Sequence, residues 1–318
     1  MTRPTIFISI AAYCDPMLNF TLASARSQAS DPSRVYVGVV EQSPPGQGLR
    51  PLDEWSRAHL RFTHADALEA RGPCWARALA MALYQGEDWY LQVDSHTWFE
   101  PGWDERLIHW GRRVTAEHPQ SLLTCYPNPF QLRNGHPVAL PVTQRVLATV
   151  VRGDSEFAAD SPVLMFEGVA VETEEPVPGY HVAGGCLFAP GRIVDELPYD
   201  PRLYFHGEEQ AFALRAWTHG WNIMHMPGMP LYHLYTEPGS QPRPMHWTPA
   251  HDEQRAVRSA ALEAASRERL SALIWGGGDL GAFGVGRVRS VAEYAEFSGI
   301  DYAARRIDPK ARKNRFGY

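Results

Sequence analysis

The sequence predicts an α/β fold, a mostly parallel twisted sheet flanked by helices with a C-terminal helical appendage. Three observations predict it. Apolar strand-like runs alternate with helical patterns from Thr5 to Tyr126 in β-α-β-α-β-α-β order. The 318 residues are 44% hydrophobic and 21% charged, which excludes wholesale disorder and a coiled coil. No apolar run reaches membrane-spanning length, so no transmembrane helix is expected.

Each element follows from its own pattern. Residues 5–12 are apolar and β-branched, as in a buried strand. Asp15-Pro16 supplies a helix cap and a first-turn proline, and Leu18, Leu22 and Ala25 follow at helical spacing. Residues 35–40 predict a second strand, and residues 65–84 a helix interrupted near Gly72-Pro73. Residues 89–93 predict a third strand, ending at Asp94-Ser95-His96. Pro101 and Asp104 open another helix, with Leu107, Ile108 and Val114 on one face, and residues 121–126 are again strand-like. Residues 128–178, rich in Pro, Gly and Val, predict loops with a few antiparallel strands. A strand over residues 181–189 contains Gly184-Gly185, and a helix over 207–219 carries Glu208 and Glu209 in its first turn. Short strands are expected at 223–226 and 231–235, then a flexible stretch at 238–249. A long helix at 250–275 and a shorter one at 291–297 flank a glycine-rich segment, 276–286. No internal repeat or low-complexity linker divides the chain.

Thirty Lys and Arg against 36 Asp and Glu give a net charge of -6. That balance argues against nucleic acid or an anionic membrane as partner, while leaving room for a local basic pocket. The four cysteines lie far apart without a Cys-x-x-Cys pair, so a disulfide framework or cysteine zinc site is not expected and a reducing cytoplasm is. The N-terminal residues read as a structural strand, not a signal peptide. Lys310 and Lys313 are the only lysines, the signature of a GC-rich, bacterial genome.

The segment richest in chemistry is the buried strand that ends in Asp94-Ser95-His96. Ligands of parallel sheets collect at the carboxyl ends of strands. A carboxylate and an imidazole two residues apart can grip one divalent cation there if the chain turns, and such a cation can bridge the phosphates of a sugar nucleotide. The plainer alternative has Asp94 capping a turn and His96 on the surface. Arg71 and Arg77 suit a diphosphate or a carboxylate, or are solvated surface arginines. Glu208 and Glu209 stand where a helix dipole favours negative charge; one could hold sugar or acceptor hydroxyls, or both simply stabilise the helix. His233, in an apolar strand, is either a satisfied core residue or the third ligand that Asp94 and His96 require. The glycine-rich run up to Gly286-Arg287 follows a helix instead of a strand, which excludes a dinucleotide fingerprint. It is a lid over phosphates or an inter-helix loop. No Gly-x-Ser-x-Gly, Walker A or His-Glu-x-x-His pattern occurs.

Several of these segments occur together in one order. They are Ser9-Ile10-Ala11-Ala12-Tyr13 with Asp15-Pro16, residues 70–77, and residues 92–96 with Phe99 and Trp103-Asp104. Gly284-Val285-Gly286-Arg287, Tyr294 and Phe297-Ser298-Gly299-Ile300-Asp301 follow. This ordered set resembles the polypeptide (hydroxyproline) α-N-acetylglucosaminyltransferases that glycosylate a ubiquitin-ligase adaptor in protists, and their bacterial relatives. The resemblance runs from Thr5 to Tyr302. Cys14 departs from it, standing where that family has arginine.

The resemblance implies a GT-A fold. Residues 1–249 would be the catalytic domain, with a nucleotide-binding half at 1–127 and an acceptor half at 128–249, and residues 250–318 a helical segment. It implies a UDP-sugar donor, UDP-N-acetylglucosamine (UDP-GlcNAc), and a manganese or magnesium ion. Transfer would go, with retention of configuration, to a hydroxyl of a protein, peptide or small molecule. Asp94, His96 and His233 would hold the metal. Tyr13, Gln42, Arg71, Arg77 and Ser95 would line the nucleotide. Gly184, Gly185, Glu208 and Glu209 would face the donor sugar and acceptor, and Gly286 and Arg287 would contribute to a lid. The rival expectations are a metal-dependent nucleotide-sugar hydrolase, a transferase using another UDP-sugar, and a noncatalytic sugar- or nucleotide-binding protein.

Overall fold

The computed structural model describes residues 3–49, 53–140, 146–235 and 243–313. The amino-terminal half runs β1 (Ile6–Tyr13), α1 (Leu18–Gln28), β2 (Val35–Ser43), α2 (Glu54–His59), β3 (Leu60–Asp66), α3 (Pro73–Met81), β4 (Trp89–Asp94), β5 (Thr97–Phe99), α4 (Trp103–Glu117) and β6 (Ser121–Thr124). Then come β7 (Asn128–Arg133), β8 (His136–Ala139), β9 (Val146–Val151), β10 (Phe166–Val171), β11 (Val177–Gly179), β12 (Cys186–Pro190), α5 (Ile193–Glu196), α6 (Glu208–Thr218), β13 (Asn222–His225) and β14 (Leu231–His233). Helices α7 (Pro249–Asp252), α8 (Ser259–Trp275) and α9 (Val291–Ser298) follow.

One sheet of eight strands, in the order β11-β13-β6-β12-β4-β1-β2-β3, organises these elements. Its β3-β2-β1-β4 half is parallel. Beyond it β12 runs antiparallel to both β4 and β6, so the sheet is mixed. A smaller sheet, β5-β14-β7-β8, crosses the carboxyl ends of the parallel strands, and β9 pairs with β10 as a separate ribbon.

Alternation along β1 decides which side chain goes to which face. Ile6, Ile8 and Ile10 pack with Leu91, Trp103 and Leu107 on the α1 and α4 side, whereas Phe7 packs with Tyr90, Phe212 and Leu270 on the other. Burying each such side chain contributes about 1.5–3 kcal/mol. The carboxyl-terminal segment shares the second core through Leu270, Tyr294, Tyr302 and Ala311. No helix among the described residues is long and apolar enough to cross a membrane.

Four expectations about local structure are corrected. Residues 60–66 form the edge strand β3, so the strand ending at Asp94 is the fourth, and the helix starts only at Pro73. Phe62, Thr63 and His64 are exposed on that edge, which removes the apolar run that marks a buried strand. The long helix at 250–275 is broken between α7 and α8. Asp252 Oδ1 accepts the Ser259 N–H at 2.7 Å, and Arg255 turns inward. Asp15-Pro16 precedes α1, whose N-cap is Met17. Gly184-Gly185 lie in the loop before β12. Of the stretch 238–249, residues 238–242 lie outside the described residues.

Candidate active site

Parallel strands β1, β2 and β4 bring Tyr13, Gln42 and Asp94 to one edge of the sheet. Because β12 is antiparallel, with Cys186 opposite Val93, Gly185 arrives beside Asp94. After Asp94 the chain turns, with Thr97 Oγ1 donating to the Asp94 carbonyl at 2.8 Å. It then pairs with β14, whose His233 is opposite Thr97. The distant His233 thereby converges on Asp94 and His96. One ligand atom each from Asp94, His96 and His233 lie within 4.8 Å of one another.

The donor set fits a divalent cation. His96 Nε2 is 2.9 Å from His233 Nε2, which is 3.1 Å from Asp94 Oδ2. Asp15 Oδ2 is 2.7 Å from His96 Nδ1 and accepts from Ser95 Oγ at 2.6 Å. Such a carboxylate holds the proton on Nδ1 and leaves the Nε2 lone pair facing the cluster. Burial pushes the proton affinity of His233 down, against the pull of Asp94, and so favours the neutral imidazole that a metal ligand must be. Burial also works against ionisation of Asp94, but the His233 hydrogen bond and the Arg77 charge hold its carboxyl well below the usual range. Asp15 is likewise held low by His96 and Ser95 in spite of burial.

Gly185 is required here: a Cβ would lie 2.7 Å from Asp94 Oδ2. At Gly184 it would lie 2.5 Å from Arg77 Nη1. Arg77 is buried and bridges two carboxylates, donating from Nη2 to Asp94 Oδ1 at 2.8 Å and from Nη1 to Glu208. Glu208 also accepts from Cys74 Sγ at 2.7 Å. Burial pushes Glu208 up to about 7 against the pull of Arg77, and Glu209 adds to the rise. Glu209 accepts the Gly184 N–H.

A cavity of about 470 Å³ opens over these groups, within the usual range for a small-molecule site. It is lined by Tyr13, Gln42, Arg77, Asp94, Ser95, His96, Gly185, Glu208, Glu209 and His233, which the sequence singled out. Gly184 lies just behind them, against Arg77 and Glu209, and three others lie elsewhere. Arg71 is exposed and lines a separate groove with Arg202 and Leu262. It diverges from Arg77 because Gly72, at φ 94°, turns the chain between them. Gly286 packs on Thr218, whose Oγ1 accepts its N–H at 2.8 Å, and Arg287 is exposed. The glycine-rich segment is thus not among the walls of this cavity.

The structure adds residues that the sequence reading missed. Arg243 lines the cavity, has no hydrogen bond or ion pair among the described residues, and leaves Nη1 buried without a partner. It feels the charges of Asp15 and Asp94. Gln42, which the sequence did single out, donates to the Ala12 carbonyl at 2.9 Å, while its Oε1 is buried and unpaired among the described residues. Arg255, buried, donates to Tyr13 Oη and, at 3.0 Å, to the Ala67 carbonyl, tying the segment after Arg243 to β1. At the mouth Met165, Phe205, Met245 and Trp247 are 37–38% exposed, forming an apolar rim above a charged floor.

A family model described as Glycosyltransferase (GlcNAc) matches residues 5–48 and 43–304. Among curated proteins none matches the chain. A crystal structure of GalNAc-T7 with UDP, GalNAc and Mn2+ is similar at a TM-score of 0.63 and 15% identity, over 92% of this chain and 54% of that one. The chain thus spans about half the length of that relative. A structure of S. aureus TarS 1–349 in complex with UDP aligns at a TM-score of 0.45 and 13% identity, over 85% of this chain and 72% of that one. The mixed sheet flanked by helices is a GT-A fold. With the family match spanning nearly the whole described sheet and its helices, the chain belongs to the glycosyltransferase (GlcNAc) family.

Proposed function

We propose that the chain transfers N-acetylglucosamine from UDP-GlcNAc to an acceptor hydroxyl, with retention, using manganese or magnesium held by Asp94, His96 and His233. The observation that carries this reading is the convergence of those three ligand atoms at the carboxyl edge of the parallel strands. The family's GlcNAc label supports the donor, and the UDP and Mn2+ present in the GalNAc-T7 structure support the nucleotide and the ion.

Each part of the cavity has work to do under this reading. Gln42 Oε1, unpaired, would accept a nucleobase N–H. The cation, when bound, supplies positive charge against the diphosphate. Arg243 would pair with a phosphate oxygen, the role the sequence suggested for Arg71 and Arg77. Arg77 instead would hold Asp94 and Glu208 in position. Glu209 would orient sugar or acceptor hydroxyls. Retention by front-face attack, with the leaving phosphate accepting the acceptor proton, needs no enzymic nucleophile. The apolar rim supports transfer over hydrolysis, because Phe205 and Trp247 offer a surface to an acceptor that water does not need. A hydroxyproline protein or peptide is the acceptor that the sequence resemblance suggests.

The test is incubation with UDP-GlcNAc and manganese, with and without hydroxyproline peptides and simple glycosides, followed by mass spectrometry. Release of UDP accompanied by a GlcNAc-modified product is expected. Rapid hydrolysis unaffected by every acceptor would favour the hydrolase, and binding without turnover the noncatalytic protein.

A further inference from the structure

Buried polar groups in folded proteins nearly always find hydrogen-bond partners. One wall of the cavity breaks that rule. Among the described residues, Thr149 Oγ1 and both ring nitrogens of His181 are buried without a hydrogen-bond partner. Thr149 is 2% exposed and His181 0%, and both residues line the cavity. They come from different elements, β9 and the loop ahead of β12.

Packing fixes His181 although its ring nitrogens are unpaired. Its ring stacks on Phe166 with centroids 3.4 Å apart and planes 8° apart, and its carbonyl accepts from His225 Nε2 at 2.9 Å. Among the described residues the nearest carboxylate oxygen, Glu209 Oε2, is 3.8 Å from Nε2, beyond hydrogen-bond reach. Burial pushes its proton affinity down against the pull of Glu209, which favours the neutral imidazole with one donor and one acceptor. The Thr149 hydroxyl offers both as well. Leu164 and Phe166 add apolar surface to the same wall. Glu209 nearby opposes an anion, and a neutral pair of this kind has no need of a carboxylate or phosphate on the ligand.

A ligand group that matches has one donor, one acceptor and a small apolar end, which describes a secondary acetamide. We propose that Thr149 and His181, with Leu164 and Phe166, form the recognition pocket for the acetamido group of the transferred sugar. The inference rests on the donor reading above. Along the cavity wall, Asp94 adjoins Gly185, Gly184 bonds Glu209, and Glu209 approaches His181. The pocket therefore lies past the metal cluster, where a sugar joined to a metal-bound diphosphate would reach. The acceptor enters over the exposed rim, whereas these two side chains are buried.

The test is calorimetry with manganese present, using UDP, UDP-GlcNAc and UDP-glucose as probes on wild type, Thr149→Val and Thr149→Ser. Wild type is expected to bind UDP-GlcNAc at least about tenfold more tightly than UDP-glucose, the size of one well-made neutral hydrogen bond. Thr149→Val should lose most of that ratio, Thr149→Ser should keep it, and UDP affinity should stay constant in all three. Thr149→Val should also melt no lower than wild type, since it replaces an unpaired hydroxyl with a methyl. UDP binding with no preference for the acetamido sugar, or a preference retained in Thr149→Val, overturns the pocket alone. Failure of UDP itself to bind overturns the donor reading and the pocket with it.

Discussion

Asp15→Asn changes the group that orients His96 while leaving the three ligand side chains themselves unaltered. The Asp15 side chain is 5% exposed. It accepts from the Met17 N–H at 2.8 Å and Ser95 Oγ at 2.6 Å, and it meets His96 Nδ1 at 2.7 Å. Asparagine keeps the volume but removes the charge and turns one acceptor into a donor. Oδ2 accepts from both Ser95 and His96, so an NH2 in its place ends both acceptances, and His96 is freed to put its proton on Nε2, which closes that lone pair to a cation. Losing a charge-assisted bond costs about 1.5–3 kcal/mol of stability. Losing a carboxylate behind a ligating histidine costs about 10–100-fold in metal affinity. The variant should therefore stay folded at room temperature, melt lower than wild type, and bind manganese about 10–100-fold more weakly in calorimetry. Ser95→Ala should do less, because Ser95 Oγ bonds Asp15 at 2.6 Å and meets His96 Nδ1 only at 3.5 Å. A folded Asp15→Asn protein with wild-type manganese affinity would refute the reasoning.

Arg243→Ala should weaken UDP at least about tenfold, the scale of a charge-assisted pair, with manganese affinity unchanged; equal UDP affinity would remove Arg243 from the phosphate site. Arg71→Ala should leave UDP affinity as it is, since Arg71 lines another groove, and a large loss would contradict the geometry. Glu208 should leave a pH signature in stability. Its folded value is about 7 against an ordinary 4.5, so the folded state holds the proton more tightly. Its contribution is full below 4.5 and is lost as pH rises through about 7, on the order of 3 kcal/mol in all. Urea unfolding from pH 4 to 8 should show that decline in wild type and a flatter curve in Glu208→Gln. Parallel curves would show that Arg77 keeps Glu208 ionised throughout.

What was legible in the sequence was whatever a local pattern records. Residues 5–12, 35–40 and 89–93 are mostly apolar because their strands are buried on both faces. The edge strand Leu60–Asp66 is half exposed and carries Arg61 and His64, so its pattern merges into the helix that follows. Asp94 and His96 announced themselves by adjacency at a strand end. His233 joined them only as the third ligand a cation needs, and it is pairing of β14 with β5 that brings it there. Asp15 looked like a helix cap because Asp-Pro ordinarily is one; its second oxygen bonds a residue 81 positions away. Arg71 and Arg77 look equivalent in sequence, and only the turn at Gly72 separates them. Arg243 stands in a proline-rich stretch without periodicity, and nothing local marks it. Thr149 and His181 are equally silent, since an unpaired buried atom is a property of the packed structure alone.

The central claim is that Asp94, His96 and His233 bind one divalent ion. Anomalous diffraction from a crystal soaked in manganese and UDP tests it most directly. The account predicts a single strong manganese peak in contact with all three side chains and lost in Asp94→Asn. A peak held by other residues, or ordered UDP with no manganese beside these three, would contradict it.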